Sequence, residues 1–145
     1  MIEQRNEMSN LFYTAWLEKA PSITGYLPEI YWQGVAENTD PDPTKAFARF
    51  TLKHQDSEQT TFGEKNHRRF TRLGIITVQV FSPIEIVGGG LTEAEQLAEI
   101  VRDAYEGIAT PSGINFRNVK VTEVGRTQQW YQFNITTTFD YDEVK

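Results

Sequence analysis

Lys65, His67, Arg68, Arg69 and Arg72 fall close together in a chain whose formal net charge is -6. Cations so spaced can meet DNA phosphates or an acidic protein neighbour. The competing interpretation is a solvated hairpin tip balanced by Glu58 and Glu64. A pI near 4.9 argues against a chain whose main task is to grip nucleic acid. His54 and His67, the only histidines, flank a polar segment that also holds Asp56, Glu58 and Glu64, so a metal site across a hairpin can be drawn. No short ligand spacing supports that site, and both histidines read as exposed loop residues. No metal is therefore expected. Gly88-Gly89-Gly90 precedes a helix pattern, where free N–H groups and the helix dipole favour an anion. A dinucleotide fingerprint would then need Gly or Ala where the chain has Glu93, and the lysine of a P-loop is missing. The run reads as a flexible strand-to-helix turn, with no cofactor. With no cysteine and no G-x-S-x-G, neither a thiolate nor an elbow serine is on offer, and no catalytic residue is assigned.

The elements that carry these residues follow from periodicity. Met8, Leu11, Phe12, Ala15 and Trp16 lie on one helical face, so residues 1–20 read as a helix that Pro21 closes. Residues 29–33 read as a short strand, and 37–42 sit in a turn-rich acidic loop. Strands follow at 46–54 and 69–81, with Ile76, Val78 and Val80 on one face of the second. The polar stretch Gln55 to Arg69 between them is either a mobile loop or the tip of a long hairpin. Thr92 and Glu95 spell a capping box, ahead of a helix whose stripe is Leu97, Ile100, Val101, Ala104, Tyr105 and Ile108. Residues 117–124 read as a strand with Val119, Val121 and Glu123 on one face, Gly125-Arg126 as a turn, and 129–141 as the strongest strand.

This order gives a single α+β domain over residues 1–145, its largely antiparallel (mixed) β-sheet covered on one face by two α-helices. Without a long apolar run, and with MIEQRNEMSN as its polar opening, the chain is not expected to enter a membrane or be secreted by a standard signal. The last strand carries large groups on both faces. A sheet this small leaves apolar surface over, and Trp130, Phe133, Ile135 and Phe139 are the candidate subunit interface of a homo-oligomer.

Several residues also carry a family pattern: a first helix with Trp16, an extended Pro28 to Gln33 segment, and the strand Ala46 to His54. Arg72-Leu73-Gly74 follows, with Val78, Val80, Phe81 and Pro83, then a Gly-rich turn, the helix Glu93 to Tyr105, Gly125, and the strand Trp130 to Phe139. In this order the chain resembles the phage tail-terminator and tail-completion proteins, the lambda minor tail protein U-like family. The resemblance implies a structural virion protein without a catalytic site, assembled in the bacterial cytoplasm. Its hexameric ring would cap the tail tube protein, stop tube polymerisation, and present a joining surface to head-completion or neck proteins. DNA would pass through the lumen without specific contacts, and the 55–69 loop would face tube or lumen. The basic cluster and the acidic 37–42 loop, which lack counterparts in that pattern, are expected to be docking surfaces of opposite sign. The alternatives are a neck or head-tail connector protein and, from another class, a small-ligand-binding α+β module.

Overall fold

The structure is a computed structural model that describes residues 2–36, 40–59, 61, 63–86 and 89–145, and of residues 56–58 only the backbone. Helix α1 (Ile2–Thr24) leads to strands β1 (Glu29–Trp32), β2 (Phe47–Gln59) and β3 (Arg69–Pro83). Helix α2 (Gly90–Tyr105) and strands β4 (Asn115–Thr127) and β5 (Trp130–Val144) complete the chain. The five strands form one sheet in the order β1-β2-β3-β5-β4, antiparallel except where β1 runs parallel to β2. The fold is α+β with a mixed sheet.

Register explains how the helices are held. Opposed residues share a face, so Trp32, Phe50, Val78, Ile135 and Val121 form one row across all five strands. The helices lie on that row. Met8, Phe12, Trp16 and Ala20 of α1 are buried, and the Phe12 ring stacks on Phe50 at 5.6 Å. From α2, Ala94, Leu97, Ala98, Ile100, Val101, Ala104 and Tyr105 turn inward. Trp16 also donates its indole N–H to the Pro28 carbonyl at 2.9 Å, fixing the turn into β1. The Tyr105 hydroxyl donates to the Met8 carbonyl at 2.8 Å and ties the helices together.

Several boundaries differ from the sequence expectation. Helix α1 continues through Pro21 for one more turn, which closes with the Ser22 and Thr24 hydroxyls donating to the Lys19 and Ala20 carbonyls and Gly25 N–H, at φ 83°, donating to the Pro21 carbonyl. Helix α2 starts at Gly90 rather than after Thr92, and Gly89 at its N-cap replaces the expected capping box. Only a glycine fits at 90. A Cβ there would stand 2.9 Å from the Pro83 carbonyl oxygen. The long-hairpin alternative describes β2 and β3, which pair as far as Gln59 and Phe70 across an irregularity between His54 and Ser57. Gly125-Arg126 is not a turn. Gly125 sits at a register shift inside β4, and the chain reverses at Gln128 and Gln129.

The proposed interface side chains are also relocated. Phe133, Ile135 and Phe139 belong to the core beneath the helices. Trp130 lies on the other face, packed with Phe47 and Phe81. Phe47 stacks on Phe81 at 4.6 Å and meets Trp130 edge-on at 5.0 Å. The Arg49 guanidinium lies 5.6 Å over Phe47 and 5.8 Å over Phe81. All four side chains therefore bury themselves within one chain and are at most 7% exposed.

Candidate docking surfaces

The turn between β2 and β3 presents the basic cluster in two parts. His67 N–H bonds the Glu64 carbonyl at 2.9 Å, Asn66 adopts φ 74°, and the Arg68 backbone pairs with Lys145 in both directions. Lys65 and His67 stand exposed at this tip. Arg68 is half-buried, its Nε without a hydrogen-bond partner among the described residues. Arg69 and Arg72 point instead at the end of β5. Arg69 faces Asp142 at 3.7 Å, and Arg72 meets Glu143 at 3.6 Å where both side chains are about 15% exposed or less. Lys145 adds a second cation to Glu143 at 3.5 Å. Burial alone would raise the Glu143 carboxyl, but the facing cations, Arg72 and Lys145 among them, hold it below its usual range. The balancing acids thus come from a strand remote in sequence, which pattern along the chain could not reveal. Of the acidic 37–42 loop, residues 37–39 lie outside the described residues; Asp42 is engaged locally, accepting from the Thr44 N–H and hydroxyl.

The two histidines do not share a site. His67 is exposed at the tip, as expected, whereas His54 lies on β2 and is not a loop residue. Its Nε2 is 2.8 Å from the Tyr141 hydroxyl, and Arg5 of α1 approaches its Nδ1 at 3.3 Å. A guanidinium can only donate, so Nδ1 accepts and the ring is the neutral Nε2–H tautomer, donating to Tyr141. Burial first, and then the nearby Arg5 charge, lower the His54 pKa from its ordinary 6.5. Burial pushes the Tyr141 hydroxyl up to about 12. This is a structural polar cluster closing one end of the core. Among the described residues, no three His, Asp or Glu side chains converge as metal ligands.

A groove between α1 and α2 is the feature that sequence reasoning missed. It is an open depression of about 580 Å³. Leu11, Ala15, Ala104 and Ile108 supply its apolar lining, and Glu3, Glu7, Glu18 and Asp103 its acids, with Lys19 the one cation among its lining residues. Glu7 also anchors the turn after α2. Its carboxylate accepts from the Ser112 hydroxyl and, at 3.4 Å, from the Ser112 N–H. Burial alone would raise its pKa, but these bonds outweigh it and hold Glu7 ionised and low. The signal was in the sequence: Glu3 and Glu7 are one turn apart, as are Thr14 and Glu18, beside the Leu11 and Ala15 stripe.

The sheet's other face carries no helix. Beyond the Phe47, Phe81 and Trp130 cluster it shows Thr51, Thr77, Thr136 and Lys120 in one row and Arg49, Gln79, Asn134 and Thr122 in the next. Most are half-exposed and neutral. Among the described residues, no helix is long and apolar enough to cross a membrane.

No protein-family model and no curated protein matches the chain. A solved structure is similar over 92% of this chain and 94% of its own, with a TM-score of 0.56 and 15% identity. At that identity the likeness shows a shared fold.

Proposed function

We propose that this chain is a structural phage virion protein: a tail terminator that closes into a hexameric ring on the end of the tail tube. The ring stops further polymerisation of the tube protein and offers a joining surface to the head-completion or neck protein. The observation that carries this reading is the helix-free sheet face, a broad surface of Thr51, Thr77, Gln79, Asn134 and Thr136 set against a core that is complete without it. A sheet sealed on one side by its own helices and left polar on the other suits a subunit that packs side by side around an axis. The sequence resemblance supplies the same element order. A terminator acts by binding the tube end better than another tube subunit does, while offering no copy of the growing surface.

The test is direct. Light scattering and electron microscopy should show a closed ring, alone or on tube ends, and adding the chain to polymerising tube protein should cap growth at about one ring per end. Uncapped tubes and a protein that stays monomeric in their presence would sink the reading.

A further inference from the structure

We propose that the groove between α1 and α2 receives the basic hairpin tip of a second copy of this chain, so that each ring interface is one tip seated in one groove. The inference rests on the ring reading above and assigns it a contact. Charge complementarity selects the occupant. The groove sets Glu3, Glu7, Glu18 and Asp103 around apolar walls, with Lys19 as its one cation. The tip offers Lys65, His67 and Arg68 against the single acid Glu64. Arg68 stands half-buried at the base of the tip, between the exposed His67 and Arg69.

The groove is open to the surface, and a hairpin turn with two or three long side chains can lie in it. The tip lies between β2 and β3, whereas the groove is built from both helices, so the contact joins two different patches. Such a contact is heterologous, and it closes into a ring when the rotation per subunit divides the circle. Two subunits meeting tip to tip would instead bring like charges together.

The chain has no cysteine, which makes crosslinking clean. A variant carrying both Lys65→Cys and Asn10→Cys, two exposed positions, one on the tip and one in the groove, should form a ladder of covalent multimers under mild oxidation. Each single variant should stop at dimers. Lys65→Glu with Arg68→Glu should weaken self-association at least about tenfold at low salt, and adding Glu3→Lys with Glu18→Lys should restore it. Thermal melting of each variant verifies that it is folded. If light scattering shows a ring that survives the tip reversal and no ladder forms, this contact is wrong and the ring stands. If the wild-type chain forms no ring even with tube ends present and no ladder appears, both fall. Binding of a lysine-rich peptide to the groove, without self-association, would replace the second copy with a different basic partner.

Discussion

The two faces of the sheet are built from the same strands and solve opposite problems. On the helix side the row from Trp32 to Val121 is apolar, Thr137 and Ser82 are buried polar residues on the same face, and the charged groups Arg5, Arg72 and Glu143 gather with His54 and Tyr141 at the hairpin end. On the open side the gradient is reversed: aromatic groups cluster at the end near Pro83, and the surface beyond them is mostly threonine, glutamine and asparagine, with Arg49, Lys53, Lys120 and Arg117 among them. An alternating strand therefore does not have one wet and one dry face throughout. Each face has its own dry end, and on the open side that dry end is sealed by aromatic stacking under Arg49 rather than by a helix.

The sharpest way to break the helix side is at Gly74. An added Cβ would lie 2.2 Å from the Phe139 ring and 2.4 Å from the Lys53 carbonyl oxygen. The ring could swing aside. The carbonyl is part of the β2 backbone opposite and could not, so Gly74→Ala must push two central strands apart. The expected cost is about 4 kcal/mol, at the severe end for a single substitution, read as a loss of chemical or thermal stability. A change below about 1 kcal/mol would mean that the register around His54 is looser than it looks.

Gly74 also marks how far the sequence could be read. Alternation located the strand and its buried Ile76, Val78 and Val80 row, and the three-four spacing located both helices. What periodicity cannot express is which residues meet. The end of β2 was underestimated because residues 55–59 are polar, and polar pairs satisfy a ladder without leaving an apolar trace. Phe133 and Phe139 were assigned to a subunit interface because their strand looked apolar on both faces; alternation already sets Trp130 on the opposite face, and the sheet order adds Phe47 and Phe81 there to meet it. The groove escaped for the same reason, since its halves lie on α1 and α2, elements separated in sequence by three strands.

On the open side, Phe81→Ala removes the stacking partner of Phe47 and leaves Trp130 without one wall. The expected loss is about 3 kcal/mol, the low end for a buried phenylalanine, because a cluster lying outside the helices can partly collapse. Thr77→Ala, farther along the same face of the same strand, should change stability by less than about 0.5 kcal/mol. Equal effects at the two positions in urea unfolding would remove the gradient from this face.

The mildest prediction concerns the polar end of the helix side. His54 is held neutral by burial and by the positive charge of Arg5, with Arg72 acting in the same direction and Glu143 opposing them. Its pKa in the folded chain is therefore below the ordinary 6.5 that the unfolded chain keeps. Above 6.5 neither state binds the proton, and the full stability is present. As the pH falls below 6.5 the unfolded chain takes up a proton that the folded ring resists, so stability declines until the folded pKa is reached. Glu143 acts in a lower window: its folded pKa is depressed, so its contribution persists above the ordinary 4.5 and is lost only on further acidification. His54→Gln keeps a donor for Tyr141 and an acceptor for Arg5 but cannot titrate. Thermal melts from about pH 8 to about pH 5 should then show the wild-type transition dropping more steeply than that of the variant. Parallel curves would mean that His54 reaches water more freely than its contacts with Arg5 and Tyr141 imply, and that the core opens at this end.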